Sequence, residues 1–406
     1  MPAGMNPTAM RDTVGAVVPR RLLTRPDHLS DTPDPRRISV GLISTYPPTR
    51  CGIGRFAHSL RSGLESVAPN AFVGVARLIS SGDGFVPDPN VEVVFDPTSS
   101  SGVRAAARKV SRHDVALLQH EYGLFGPDDG EAVMELVGHL GIPLISVLHT
   151  ILSEPSPRQR FLLEFLGRSG TLVVPTETAR RRLTTAYEVD PSVVNVIPHG
   201  AALSVAPPNP GPRRRLITWG LLGPGKGIER SLRALSLLDL DPPVTYDIVG
   251  QTHPAVLARS GQDYRRSLEA LVTELGLERR ARFIDRYVDD AGLQDLVARA
   301  DLVVIPYDSH EQICSGVLTE AVAAGKPVVA TAFPHAEELL AGGAGVVVSH
   351  AEEAMAESIR RLLTNDGMYG EAARHAGRMA GNLSWSVVGR QYLGLLHSIR
   401  STVDVA

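Results

Sequence analysis

The chain of 406 residues has little cysteine. Its two cysteines, Cys51 and Cys314, lie far apart and form no C-x-x-C pair, so we expect neither a disulfide framework nor a thiolate metal site. This pattern predicts a cytoplasmic protein. The sequence also lacks an apolar run of about 18 residues that could span a bilayer, which leaves only peripheral membrane contact open.

No charge of one sign predominates. The sequence has 41 Lys and Arg residues and 44 Asp and Glu residues, for a formal net charge of -3. Without a large positive field the protein is a poor match for a nucleic-acid backbone, so nucleic acid is excluded as an expected partner. The hydrophobic residues make up 43% of the chain, enough for the two domain cores that its length suggests.

Composition divides the chain into four segments. Residues 1–36 are rich in Pro, Arg and Thr and contain no signal-peptide-like apolar stretch, which predicts a disordered tail. We expect one domain over 37–205 and a second over 206–383, joined by a proline-rich linker at 203–213. A final helix over 384–402 carries an apolar stripe at a spacing of about 3.6 residues.

Short β-branched runs alternate with helical segments in both halves, which is the pattern of an α/β fold with parallel strands. We therefore predict two doubly wound domains. The predicted strands are 38–45, 72–76, 91–95, 114–119, 143–148, 172–175 and 194–198 in the first half, and 216–220, 245–249, 281–284, 302–306, 327–330 and 345–348 in the second.

A glycine motif, Gly52-Ile53-Gly54, follows the first predicted strand. It formally fits a dinucleotide fingerprint, but six residues separate it from Thr45 and the second strand supplies no ribose-binding acid, so NAD binding is not favoured. Gly52 and Ile53 instead predict a helix N-terminus that binds a diphosphate. A simple structural turn remains the alternative.

A second glycine-rich turn places Lys226 between Gly225 and Gly227 at the start of a helix. Glycines, a helix N-terminus and one lysine together favour phosphate binding. A surface lysine without a ligand is the alternative interpretation.

A third segment, 311–330, has the order strand end, polar loop, helix and buried strand. This order points the loop out of the carboxyl end of the sheet, where open α/β folds bind ligands. Glu320 would lie about one turn into the helix. The segment supplies Gln312 as a candidate catalytic residue, and its candidate donor-binding residues are Glu311, Ser315, Gly316, Val317 and Glu320.

The Lys-Gly turn, this segment and Ile197-Pro198-His199-Gly200 together resemble the retaining GT-B glycosyltransferases of family four. The resemblance implies two facing Rossmann-like domains, with the acceptor bound mainly by the first and the donor by the second. It also implies that the last helix crosses back to pack on the first domain. It covers nearly everything from Ile38 to the final helix.

The resemblance assigns roles to individual residues. Glu320 falls at the glutamate that holds the donor ribose, and Lys226 at the diphosphate lysine. Gln312 stands where the family has a first glutamate. A one-residue shift would give that role to Glu311, but the Gln-x-x-Ser-Gly form also resembles a subgroup of such enzymes, and we favour a genuine glutamine variant. Leu221 stands where an arginine is common; either Arg50 or Arg55, across the cleft, is the candidate replacement.

In the first domain, the resemblance places His149 beside the scissile bond, with a capped structural histidine as the alternative. His120, Glu121 and Tyr122 end another strand and are candidates for the acceptor side, with a structural turn as the competitor. Asp239 and Asp241 match a D-x-D pattern but precede two prolines, which favours exposed turn acids. We predict no metal site.

These features predict a metal-independent transferase that moves a hexosyl group from a nucleotide-diphosphate sugar, of the GDP-mannose or UDP-glucose type, to an acceptor hydroxyl with retention. The expected acceptor is a carbohydrate or glycolipid, and the nucleotide-sugar is a substrate, so no further cofactor is expected. A GT-B epimerase or phosphorylase, or a non-catalytic nucleotide-sugar binding protein, remains an alternative.

Overall fold

The computed structural model describes residues 38–79, 87–207, 209 and 211–404. The predicted tail over 1–36 and two of the linker prolines, Pro208 and Pro210, lie outside the described residues.

Two parallel sheets form the framework of the described chain. The first contains β1 (Ser39–Ser44), β2 (Phe72–Leu78), β3 (Val91–Phe95), β4 (Val115–His120), β5 (Leu144–Leu148), β6 (Thr171–Val174) and β7 (Val194–Val196). The second contains β8 (Arg215–Trp219), β9 (Thr245–Val249), β10 (Ala281–Ile284), β11 (Leu302–Ile305), β12 (Val328–Thr331) and β13 (Gly345–Val348).

Helices connect the strands. In chain order they are α1 (Gly52–Val67), α2 (Ser100–Val110), α3 (Ala132–Gly138), α4 (Pro157–Ser169), α5 (Glu177–Ala186), α6 (Ile228–Ser236), α7 (Pro254–Ser260), α8 (Asp263–Glu274), α9 (Asp290–Arg299), α10 (Gly316–Ala323), α11 (Pro334–Leu340), α12 (Glu352–Thr364), α13 (Asp366–Leu383) and α14 (Trp385–Asp404).

Both sheets have the same winding. The strand orders are β3-β2-β1-β4-β5-β6-β7 and β10-β9-β8-β11-β12-β13, and neighbouring strands pair in parallel, as in β1 with β2 and β8 with β9. The order therefore reverses between β1 and β4 and again between β8 and β11. Such switch points open crevices at the carboxyl ends of the strands. The predicted α/β class and the two doubly wound sheets are confirmed.

The central strands are buried along their whole length. All six residues of β4 and all four of β11 and of β12 are buried, because helices cover both faces of each sheet. This explains why these strands read as continuous apolar runs in the sequence rather than as alternating patterns.

The last helix, α14, returns to the first sheet. Val388, Tyr392 and Leu396 are 0% exposed and belong to one hydrophobic cluster with Leu60 and Leu64 of α1. Full burial of a Val or Leu side chain stabilises a fold by about 1.5–3 kcal/mol. The stripe predicted from the sequence is therefore the surface that holds α14 on the first domain.

Candidate active site

A cleft of about 770 Å³ opens between the carboxyl ends of the two sheets. Loops and helix starts after β1, β4 and β5 line one side, and those after β8, β9, β10 and β11 line the other. The predicted site residues that line it are Gly52, Ile53, Glu121, His149, Lys226, Glu311, Gln312, Ser315, Gly316, Val317 and Glu320. The structure thus brings eleven of the fourteen predicted residues to one cavity.

The Lys226 turn follows β8 and leads into α6. Gly227 has a left-handed backbone (φ 62°), and a Cβ there would overlap the Pro306 carbonyl oxygen, so only glycine fits. The Asp308 amide donates to the Gly225 carbonyl over 3.0 Å and ties the turn to the loop after β11. Gly225 itself does not line the cleft; it supports the turn that does.

The Lys226 ammonium lies 4.4 Å from the centre of the Tyr307 ring. Among the residues that the structure describes, Lys226 makes no ion pair. Its charge is positioned by an aromatic face rather than neutralised by a carboxylate. The ammonium is therefore available to an anionic ligand in the cleft.

The start of α10 forms the floor beside this turn. The Ser315 hydroxyl accepts from the Leu318 amide over 3.2 Å and caps the helix, while the Ser315 amide donates to His335 Nδ1 over 2.9 Å. Burial lowers the pKa of His335 to about 3, so the ring is neutral and accepts. The cap points the helix start, with Gly316 and Val317, into the cleft.

Glu320 lies further along α10 and is 7% exposed. Its Oε2 accepts from Trp219 Nε1 over 2.9 Å, and its Oε1 lies 2.9 Å from Arg55 Nη2 of the first domain. Burial raises the pKa of this carboxyl group, while Arg55 and Trp219 act in the opposite direction. The side chain is held in one position at the cleft wall.

Glu311 and Gln312 point in different directions. Glu311 accepts from the Ser153 amide over 2.8 Å and pairs with Arg182 Nη1 over 2.8 Å. Burial acts to raise the pKa of Glu311, but these partners outweigh it and the pKa is lowered. Gln312 donates from Nε2 to the Cys314 carbonyl over 2.9 Å. Glu311 thus bonds to residues of the first domain, whereas Gln312 bonds within its own loop.

His149 stands at the end of β5 on the opposite wall. Its Nε2 lies 2.8 Å from Gln119 Oε1, and its ring meets the Phe56 ring edge-on at 4.8 Å. With the Gln119 amide oriented so that Oε1 faces the ring, His149 Nε2 donates and Nδ1 is left as an acceptor. Burial, followed by His199 and His120, lowers the pKa of His149 to about 3. The imidazole is neutral at physiological pH.

The structure does not place His120 and Tyr122 on the cleft wall. His120 is fully buried at the end of β4 and Tyr122 is nearly so, and both pack in the first-domain core. Strand and turn geometry alternates side chains, which leaves Glu121 as the member of this trio that lines the cleft. Its Oε2 accepts from the Thr150 hydroxyl over 2.5 Å.

Several lining residues carried a weaker signal in the sequence. His199, in the Ile197–Gly200 motif, packs on Phe56 and Trp385 and lies against the start of α10, where a Cβ at Gly316 would come 3.0 Å from its Nε2. Trp219 only marked a strand end, and the exposed Arg286 was not singled out. Leu221 does line the cleft, as an apolar residue.

Asp239 and Asp241 do not line the cleft. No group of three or more His, Cys, Asp and Glu side chains with metal-binding proximity occurs among the described residues. Over the same ranges, no helix is both long and apolar enough to cross a membrane.

Two parallel α/β domains with a cleft between their carboxyl ends define the GT-B architecture, and comparison with solved structures confirms it. The complex of Anabaena Alr3699/HepE with UDP-glucose has a TM-score of 0.69 at 20% identity and covers 89% of this chain and all of that one. Sucrose-phosphate synthase from Thermosynechococcus elongatus has a TM-score of 0.70 at 16% identity and covers 90% of this chain.

Sequence comparison is consistent with the fold. Residues 203–380 match the family model described as glycosyl transferases group 1. The D-inositol 3-phosphate glycosyltransferase of Rhodococcus jostii (strain RHA1) is 27% identical, over 90% of this chain and 89% of its own length. These matches confirm a resemblance to glycosyl transferases of group 1 and support a glycosyltransferase.

Proposed function

We propose that the protein transfers a hexosyl group from a nucleotide-diphosphate sugar to an acceptor hydroxyl, with retention and without a metal ion. One observation carries the proposal: the Lys226 turn and the helix that bears Glu320 open onto the same cleft and face His149 of the other domain. A cation and a ribose-binding carboxylate on one wall fit a nucleoside diphosphate.

The leaving diphosphate needs charge stabilisation in the transition state. Lys226 supplies one positive charge, and the N-termini of α1 and α10 add backbone N–H donors and favourable dipoles. Donors that are fixed before the reaction stabilise developing charge without reorganisation. In this proposal the protein's own groups take the role that a metal ion has in other transferases.

Retention follows in this proposal from attack on the face that the diphosphate leaves. Three carboxylates line the cleft among the described residues, and each has protein partners: Glu320 with Trp219 and Arg55, Glu311 with Ser153 and Arg182, and Glu121 with Thr150. None is free to act as a nucleophile in this arrangement. The neutral His149 would then accept a hydrogen bond from a sugar hydroxyl instead of transferring a proton.

The ligands and names of similar proteins narrow the range of expected substrates. Anabaena Alr3699/HepE was solved with UDP-glucose, so we place a UDP-hexose first among donors and GDP-mannose second. The Rhodococcus relative is named for D-inositol 3-phosphate, which favours a polyol or carbohydrate acceptor; a glycolipid is the alternative. The donor is a substrate and no additional cofactor is proposed.

Thermal unfolding with UDP-, GDP- and ADP-sugars, each at about 100 times its Kd, tests donor binding, since such a ligand stabilises the fold by about 2.7 kcal/mol. The donor that stabilises is then incubated with sugar and polyol acceptors, and the products are identified by mass spectrometry and anomeric NMR. We expect a new α-linked glycoside from an α-linked donor.

Other products would assign other functions to the same fold. An isomerised sugar or a sugar phosphate would indicate an epimerase or a phosphorylase. Stabilisation without any turnover would indicate a nucleotide-sugar binding protein, the alternative that Gln312 and Leu221 favour. Stabilisation by NAD(P) alone would contradict the proposal.

A further inference from the structure

Arg55 crosses the cleft from the first domain to the second. It lies in the first turns of α1, and its Nη2 is 2.6 Å from Asp290 Oδ1 and 2.9 Å from Glu320 Oε1. Both carboxylates belong to the second domain. Arg55 therefore occupies the oxygen of Glu320 that a donor ribose would need.

Both oxygens of Glu320 have a protein partner while this ion pair is formed. Its other oxygen accepts from Trp219 Nε1, and its side chain is 9% exposed. A buried carboxylate is strongly unfavourable unless hydrogen-bond donors or a counterion satisfy its oxygens. Arg55 is the counterion of Glu320, and the more exposed Asp290 also pairs with its guanidinium.

A bound donor changes the charges around Arg55. The ribose diol is neutral and replaces the hydrogen bond to Glu320, whereas the diphosphate brings new negative charge to the start of α1. Arg55 lies three residues after Gly52, next to that helix start, and its side chain is 31% exposed and lines the cleft. Guanidinium groups bind phosphate oxygens with two parallel hydrogen bonds.

The other wall has a position without a cation. Leu221 lines the cleft on the second domain and brings an apolar side chain to the diphosphate region. Lys226 is the positive charge on that loop. A second cation arriving from the opposite domain would complete a clamp around the diphosphate.

We propose that Arg55 is a displaceable counterion: it pairs with Glu320 and Asp290, and it moves to the donor diphosphate when the donor ribose takes its place on Glu320. This inference rests on the proposed function, because it takes Glu320 as the ribose ligand. It makes donor binding an exchange of partners that draws α1 toward the second domain.

Calorimetric titration with two probes, UDP and uridine, separates the two halves of the exchange, and GDP with guanosine is the parallel pair. In Arg55→Ala the affinity for UDP should fall by about tenfold or more, as expected for loss of a hydrogen bond to a charged group. Uridine has no diphosphate for Arg55 to bind, so the affinity for uridine should not fall. The UDP-to-uridine affinity ratio is therefore the quantity to compare.

Two variants serve as controls. Asp290→Asn loosens Arg55 without removing its charge and should bind UDP as tightly as the wild type or slightly tighter. Arg61→Ala changes an arginine of the same helix that pairs with Glu65, outside the cleft, and should leave both affinities unchanged. A thermal melt of each variant checks that it is folded.

An unchanged ratio in Arg55→Ala, with both ligands weakened equally or not at all, would overturn the exchange and leave the proposed function standing. Arg55→Lys, which keeps the charge without the planar fork, should give an intermediate ratio and provides the same comparison if the alanine variant does not fold. Failure of the wild type to bind any of the four probes would instead overturn the proposed function and the inference together.

Discussion

The two domains share one winding but present different chemistry to the cleft. The first domain presents His149 and His199, two imidazoles whose pKa values burial lowers to about 3 and about 4. The second presents Lys226 on an aromatic ring and a helix start capped by Ser315. The imidazoles of the first wall are neutral, whereas the second wall presents the Lys226 ammonium.

The two walls suit the two substrates of the proposed transfer reaction in different ways. A diphosphate is held by charge and helix dipoles, and the second domain supplies both. Neutral acceptors of hydrogen bonds suit sugar hydroxyls, and the first domain supplies those. The exception is Arg55, a cation of the first domain whose guanidinium reaches across the cleft to Glu320 of the second domain.

Removal of the Lys226 ammonium should have the largest effect on turnover. Lys226→Ala should lower turnover by about 10²-fold, the usual cost of losing one preorganised charge contact in a transition state. Steady-state kinetics with saturating donor measures the effect. Lys109→Ala, on α2 and paired with Glu92 away from the cleft, is the matched control and should keep full activity. Turnover within twofold of the wild type in Lys226→Ala would contradict the role of Lys226 in stabilising the leaving diphosphate.

A smaller effect on activity should follow when a charge is placed next to the neutral His149 ring. Gln119→Glu places a carboxylate behind His149 Nε2, and this raises the pKa of His149 from about 3 toward neutrality. Activity should then fall by about tenfold on the acid side of the new pKa, because a protonated ring donates at Nδ1 where it had accepted.

The readout is kcat/KM between pH 5 and 9. Groups that face His149 are His120 on β4, His199 after β7 and the Phe56 ring on α1. Gln119→Leu removes the hydrogen bond without adding charge and should lower the rate at all pH values alike. A Gln119→Glu profile that superimposes on the wild type would show that the neutral state of His149 has no functional role.

Most of the framework was accessible from the sequence. The strand ranges 91–95, 245–249, 281–284 and 345–348 agree with β3, β9, β10 and β13 at both ends, because β-branched runs bounded by turn residues are strong local signals. The apolar stripe of α14 was equally clear from its spacing of about 3.6 residues. Three of its members, Val388, Tyr392 and Leu396, are fully buried in the structure.

The site was accessible where it depends on glycine turns and helix starts, and less so where it depends on long-range geometry. The sequence singled out His120 and Tyr122, whose burial is decided by which face of β4 and its turn they occupy. It named Arg55 without its partners, because the pair with Glu320 joins residues 265 positions apart. No local pattern encodes such contacts.

We propose that the Lys226 turn and the start of α10 bind one nucleoside diphosphate in the cleft that faces the first domain. Hydrogen–deuterium exchange with and without saturating UDP measures this directly. We predict slower amide exchange in 223–227 and in 315–320 together, with additional protection at 52–55. Binding of UDP that protects only one of the first two segments, or protects a surface elsewhere, would contradict the claim.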